Sequence, residues 1–460
     1  MRVGPSSRWL VPVLSMTGML SSLQFTLFLP TLPEIPQLLA VNANDATWVV
    51  TITLLVSTAG GPVIGQLADI YGKRQILLVS LALLFSGSVI AAIGENFVAV
   101  LIGRGLQGVA ATTIPVGISV LREALGREKS NSAIGFMSAT IGIGSALGLP
   151  LSGALSEFGG LTSIFWFSAI AGLVVFLLLV AVVPQSNIEP SRRFDIIGAV
   201  LLSTLLAALL VGVSKGLVWG ITSRELLIVS LIAAIALPLW LIHSFRVTEP
   251  IVDLRLSFSS PVLVINVASF FISFGMFANH FLTIHEARAP IDSVIGLGLP
   301  ALTAGLILLP STAALVALAP VASRLINRFG GRITLALGSL VIAAAYAFRL
   351  VVHEGIVTVT LGAFLVGIGS AFAFTAMPSL INDAVPLTQL ASANSINAVA
   401  RSFSGSVVSA LLAFLIVAQP NAATADFISQ SGLVLSFGFC AALALAGSIL
   451  AFTLPRSRPQ

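Results

Sequence analysis

Apolar runs of about twenty residues, separated by short polar breaks, fill nearly the whole chain. A helix needs roughly 20 mainly apolar residues to cross the hydrocarbon of a bilayer. Fourteen runs meet that length, starting near Trp9, Thr47, Gln75, Phe97, Ala133, Thr162, Ile196, Glu225, Val262, Leu299, Ile333, Ile356, Ala393 and Gly432. The pattern predicts an all-α membrane protein with 14 transmembrane helices, and an even count puts both termini on one side. Pro30, Pro33 and Pro36 lack backbone N–H groups, so the first span is expected to stop near Leu29.

The runs are organised by a repeat. The segment Gly65-Gln-Leu-Ala-Asp-Ile-Tyr-Gly-Lys-Arg74 returns, degraded, as Ser323-Arg-Leu-Ile-Asn-Arg-Phe-Gly-Gly-Arg332. Pro62 pairs with Pro320, Leu67 with Leu325, Tyr71 with Phe329, Gly72 with Gly330 and Arg74 with Arg332 at one constant offset. Six runs precede the loop Pro184 to Asp195 and six follow the loop Arg246 to Pro261, with two between. The expected plan is two pseudo-symmetric six-helix bundles, residues 1–190 and 259–460, joined by two central extra helices in 191–258. Duplicated bundles of this kind are the architecture of rocking transporters.

Composition agrees with a bilayer. The chain is 57% hydrophobic and 8% charged, with mean hydropathy +1.07, whereas soluble domains carry about 25% charged residues. Most of the 22 Lys and Arg residues fall in loops on the side of the N-terminus, which the positive-inside rule makes cytoplasmic. The isoelectric point near 10.1 comes from single residues and pairs in short loops, with no dense basic cluster for nucleic acid. The one cysteine, Cys440, lies inside the last run, so no intrachain disulfide and no metal-ligand spacing exist. The first run has no small-residue cleavage site and reads as a retained span. The segment Ile284 to Gly298, with Glu286, Arg288, Pro290 and Asp292, is expected to form a long outer loop, either a lid or a solvated insertion.

The Gly65–Arg74 segment resembles the loop between the second and third spans of the major facilitator superfamily, patterned G-x-L-a-D-r-x-G-r-r. Gly65, Leu67, Asp69, Gly72, Lys73 and Arg74 fit, and Ile70 stands where the pattern prefers a basic residue. The six-two-six plan, with Phe194-Asp195 before span seven and Glu249-Pro-Ile-Val-Asp-Leu254 after span eight, resembles the superfamily's 14-span drug:proton antiporter branch. The resemblance implies a cytoplasmic gate built of Gly65, Asp69, Gly72, Lys73 and Arg74, in which Asp69 meets the start of span 13 and Arg401 in its first turns is a partner. The alternative is a glycine turn whose charges only set topology.

Arg104 lies inside an apolar run, in Leu101-Ile-Gly-Arg-Gly-Leu-Gln-Gly108, which resembles the family's fourth-span motif. Seven residues from Phe97 place it roughly 10 Å into the membrane, at a depth where span one offers Ser22 and Gln24. Ser21 falls where the family often has an aspartate, and the 17 acidic residues map to loops or span ends. Proton-coupling candidates are therefore Arg104, Glu34 and His280, with the His285–Glu286 pair beyond, since intramembrane ionisable groups are functional suspects. For His280 a neutral, hydrogen-bonded histidine is an equal reading. Gly144, Gly148, Pro150 and Gly153 resemble the glycine-rich antiporter motif of span five, with plain close packing as its alternative. Gln24, Gln107, Asn266, Asn279 and Asn397 lie on the helices that line the substrate cleft in this superfamily; interhelical hydrogen bonds are their other reading.

The resemblance implies a secondary active transporter exporting lipophilic or amphipathic molecules by alternating access, with proton antiport. The alternatives are a narrow exporter of one endogenous metabolite or lipid and, from another class, a non-transporting membrane sensor. No phosphate-cradling Gly-x-x-x-x-Gly-Lys-Ser/Thr segment and no nucleophile–base constellation occurs, so neither ATP-driven transport nor an enzyme is expected. No cofactor is implied. The expected partners are a small-molecule substrate, protons and the lipid bilayer, without nucleic acid, around a monomer in the inner or plasma membrane.

Overall fold

The computed structural model describes residues 7–28, 31, 35–41, 43–46, 48–185, 193–220, 222–254, 260–289, 291, 296–299, 301–352, 355–418 and 430–455. Its long elements are helices α1 (Ser7–Thr26), α2 (Trp48–Tyr71), α3 (Lys73–Gly94), α4 (Phe97–Val109), α5 (Thr113–Val182), α6 (Ile196–Trp219), α7 (Arg224–Arg246) and α8 (Ser260–Arg288). There follow α9 (Ala301–Leu306), α10 (Leu309–Ala317), α11 (Ala319–Phe329), α12 (Gly331–Val351), α13 (Ile356–Ala384), α14 (Leu390–Ala418) and α15 (Gln430–Thr453). Ten helical segments among the described residues are long and apolar enough to cross a membrane, or eleven with the pair bent by 41° at Leu318 counted as one span.

Local sequence sets the breaks. Gly126 (φ 72°) and Gly160 (φ 62°) leave helical geometry inside the 70-residue α5 and divide it into three rods. Asn96 caps α4 by accepting the Ala99 N–H at 2.9 Å, which satisfies one of the first-turn donors that have no intrahelical partner. The first helix ends at Thr26, ahead of Pro30.

The repeat is visible in the backbone. Gly72 has φ 100° and ψ 131°, and Gly330 has φ 87° and ψ 158°. Both lie where a Cβ clashes, so both turns need glycine. Gly72→Ala and Gly330→Ala are each expected to destabilise the fold by about 1–3 kcal/mol, read as a lowered unfolding midpoint of the purified protein. An unchanged midpoint in either variant would show that the turn relaxes without strain.

Two compact units emerge, the first of Met1–Leu209, Val229–Ser257 and Ile381–Val399, the second of Leu210–Ile228, Phe258–Leu380 and Ala400–Gln460. In the first, Leu14, Leu77, Leu81, Leu84, Ile134 and Met137 are buried in one apolar core. Residues 196–209 of α6 and 229–246 of α7 join this unit through a second core of Leu202, Leu205, Trp240, Ile251 and Val252, with Val63 of α2 packed against it. Asp195 caps α6 by accepting the Gly198 N–H at 2.8 Å, and His243 Nε2 lies 2.7 Å from the same carboxylate. The outer face of α7 stays apolar and exposed at Leu231, Ile235 and Leu239.

In the second unit α12 and α13 approach so closely that a Cβ on Gly338 would lie 2.6 Å from the Gly369 carbonyl oxygen. The Ser448 hydroxyl donates to the Ala336 carbonyl at 3.0 Å, and Ser339 donates to that of Ala444, tying α12 to α15.

The segment expected to be an outer loop from Ile284 is different at its start. Helix α8 continues to Arg288, because Glu286 turns into the protein, where Arg349 compensates its charge. The chain then folds back, with the Leu297 and Leu299 amides donating to the carbonyls of Glu286 and Ala287 at 3.2 and 2.8 Å.

Candidate functional site

At the junction of α2 and α3 the first unit gathers charged residues from four helices and a serine from a fifth. The Asp69 carboxylate accepts from the backbone N–H of Ser392 at 2.9 Å and from its hydroxyl at 2.8 Å. Ser392 lies in the first turn of α14, where backbone donors are unsatisfied and the helix dipole favours an anion. Lys73, one turn after Asp69, lies 3.2 Å from Asp69 and 2.6 Å from Glu123. Arg122 pairs with Asp383 near the end of α13 and donates to Ser130 at 3.2 Å. Arg74 points elsewhere and donates to the Val180 carbonyl at 2.9 Å. Gly65 is a buried position of α2. Arg401 belongs to the second unit, with its guanidinium 5.4 Å from the centre of the Phe374 ring.

Arg104 is fully buried. Its Nε donates to the Val49 carbonyl at 2.9 Å, and Nη1 donates to the Gln24 carbonyl at 3.1 Å and the Gln107 side-chain oxygen at 2.8 Å. The Phe28 ring covers the guanidinium at 4.0 Å. All these ligands are neutral. Helix α1 therefore contributes a backbone carbonyl, while the Gln24 side chain bonds Ser168 at 3.2 Å and Ser22 bonds the Met19 carbonyl at 3.0 Å. Ser21 sits between the Ala110 carbonyl, at 2.8 Å, and the Thr113 hydroxyl, at 2.7 Å.

The remaining candidates separate. Gly144 and Gly148 face α1, so that a Cβ would lie 2.3 Å from the Met19 carbonyl oxygen and 1.9 Å from Thr26 Oγ1, respectively; Pro150 and Gly153 continue the same helix. Gln107 also reaches Ser88 at 2.8 Å. Asn397 is buried on α14 and Asn266 half-buried on α8. His280 is half-buried with Nδ1 3.0 Å from the Met276 carbonyl. Glu34 lies outside the described residues.

One cluster in the second unit joins Asn279 and Glu286, both picked out above, to Thr283 and Arg349, which were not. Asn279, Thr283 and Glu286 recur at i, i+4 and i+7, which is one face of α8. The Arg349 guanidinium on α12 meets that face, pairing with Glu286 and donating to Thr283 at 3.0 Å and Asn279 at 3.4 Å. Arg349 is an arginine inside an apolar run, the signal that singles out Arg104. Its closeness to the end of the run makes it read as an interfacial charge.

A helical membrane protein of two units with a duplicated glycine turn is thus defined. The model of the Major Facilitator Superfamily matches residues 14–287, more than half of the chain, and the chain belongs to that superfamily; it is a membrane transport protein, not an enzyme. Among relatives, the multidrug resistance protein Stp of Mycobacterium tuberculosis is 27% identical over 398 residues, covering 85% of this chain and 72% of Stp. The tetracenomycin C resistance and export protein of Streptomyces glaucescens is 26% identical over 424 residues, covering 90% of this chain and 77% of that protein. The crystal structure of the human organic anion transporter MFSD10 superposes with a TM-score of 0.69 at 16% identity, covering 98% of this chain and all of that one, a likeness of fold.

Proposed function

We propose that this chain is a 14-span drug:proton antiporter that exports lipophilic or amphipathic small molecules by alternating access. The observation that carries this reading is membership of the superfamily together with relatives named for multidrug resistance and for resistance and export. Beside the ten apolar helices and the bent pair, three further segments supply the other spans: α1, the middle rod of α5 and α14. The termini lie in the cytoplasm of a bacterial cell, in its inner or plasma membrane, and the working unit is a monomer.

The cytoplasmic gate in this reading is the Asp69–Ser392 contact, supported by Gly65, Gly72, Lys73, Arg74 and Arg401. When the helices separate, Asp69 gives up two hydrogen bonds at a helix start, and Lys73 stays to hold its charge. Arg104, Glu34 and His280 serve proton coupling, Gly144, Gly148, Pro150 and Gly153 form the antiporter-motif helix, and Gln24, Gln107, Asn266, Asn279 and Asn397 serve the substrate cleft.

The deciding experiment is efflux of a fluorescent lipophilic cation from proteoliposomes, with and without an imposed pH gradient. Efflux accelerated by the gradient is expected. Efflux indifferent to it removes proton antiport. A folded, inserted protein that moves no such cation favours the second reading, a narrow exporter of one metabolite or lipid, which Ser21 in place of a carboxylate already supports.

A further inference from the structure

We propose that Glu286 is the proton-exchanging carboxylate of this transporter and that Arg349 is its charge partner, an assignment that rests on the antiport reading. A proton-coupled carrier needs a group that is neutral in one state and charged in another within its protein interior. Arginine keeps its proton under all ordinary conditions, so Arg104 with its neutral ligands cannot be that group.

Among the described residues the buried carboxylates are Asp69, Asp195 and Glu286. Asp69 is held by Ser392 and Lys73, and Asp195 caps α6 and meets His243. Glu286 is the least exposed of the three as a whole residue, at 2%.

Its surroundings are built for a charge that comes and goes. Arg349 is 1% exposed and carries, besides Glu286, two neutral acceptors, Asn279 Oδ1 and Thr283 Oγ1. The Phe437 ring of α15 covers its guanidinium at 4.3 Å. On α13, Gly362 makes room for the arginine stem, since a Cβ there would lie 2.6 Å from Arg349 Cγ and Cδ. The guanidinium thus keeps two hydrogen bonds and an aromatic face when the carboxylate is neutral. Four helices converge to hold a cation in place whether or not its anion is present.

Among the described residues the other titratable groups around the cluster are His280, His285 and Arg288 on α8, Tyr346 on α12 and Cys440 on α15, and none of these is a carboxylate. Tyr346, one turn before Arg349, donates its hydroxyl hydrogen to the Gly275 carbonyl and so fixes α12 against α8 about three turns before Glu286.

The step is a proton transfer that balances by itself. Glu286 is ionised and paired in the conformation described here. A shift of α8 against α12 lengthens the pair and leaves a desolvated carboxylate, which takes one proton from the aqueous side on which α8 ends. The resulting carboxylic acid is neutral and tolerates the apolar surroundings. In the opposite state the proton leaves, the carboxylate returns to Arg349, and one proton has crossed for each substrate cycle.

The test uses proteoliposomes holding the full chain, with the fluorescent lipophilic cation as probe. The quantity read is the ratio of gradient-driven to gradient-free transport. Wild type and the control Glu95→Gln, at an exposed turn, are expected to give a ratio well above unity. Glu286→Gln is expected to give unity, whatever its absolute rate. A Glu286→Gln protein that keeps the wild-type ratio overturns the assignment and leaves the antiport reading standing. A wild-type ratio of unity overturns both.

Unmodified protein provides a second reading that does not depend on any variant folding. Dicyclohexylcarbodiimide reacts with protonated carboxyls in apolar surroundings. Mass spectrometry is expected to find it on Glu286, with labelling that falls as pH rises. No adduct on Glu286 in a transporting sample overturns the assignment.

Discussion

Replacing Arg349 with methionine is expected to lower the stability of the folded protein by about 3–5 kcal/mol, the usual cost of removing one partner of a buried ion pair. Methionine keeps much of the stem that lies along Gly362 and Phe437, so the loss comes mainly from the charge left on Glu286. That carboxylate is 2% exposed. The double variant Arg349→Met with Glu286→Gln removes both charges and is expected to recover most of the loss, because a neutral amide can bond Thr283 one turn away on the same face. Thermal unfolding of the detergent-purified protein, followed by tryptophan fluorescence, gives the two midpoints. A single variant as stable as wild type would show that water reaches Glu286 and that the pair is worth no more than a surface one.

The second large effect is expected at Gly144. A Cβ there would lie 2.1 Å from Ser22 Oγ and 2.3 Å from the Met19 carbonyl oxygen of α1. The first contact is with a side chain that can turn, but the second is with helix backbone, which moves only if α1 moves. Gly144→Ala is therefore expected to cost about 1–3 kcal/mol by overpacking, and Gly144→Leu to leave little monodisperse protein. Ser22→Ala is expected to rescue neither, because the Met19 carbonyl remains. Yield and unfolding midpoint from size-exclusion and thermal scans decide it. Gly144→Ala with normal stability and failed transport would place this glycine in the transport cycle rather than in the packing of α5 against α1.

These two residues also show what a sequence can reveal of such a protein. Gly144 is legible because small residues four apart in an apolar run have one common purpose, close approach of helices. The structure adds which helix approaches. Arg349 is harder to read. Its partner lies on another helix, and the pair meets only because α8 runs past the point where His285 and Glu286 resemble the start of a loop. Asp69 falls between these cases. Its position in the glycine-turn segment marks it as a contact residue, yet the donor it finds is the backbone and hydroxyl of Ser392, which carries no signal of its own.

The bilayer class, the helical elements, the duplicated glycine turn and the membership of a transporter superfamily follow from sequence alone. Each depends on local composition and spacing, since a membrane span must be long, apolar and internally hydrogen-bonded wherever it sits. The tertiary structure alone decided the pairings: Asp69 with Ser392, Arg122 with Asp383, Arg104 with carbonyls and an aromatic face, Arg349 with Glu286. Partner choice depends on which helix faces are brought together across tens or hundreds of residues. A buried charge announces that it needs compensation; only the packed helices settle what supplies it.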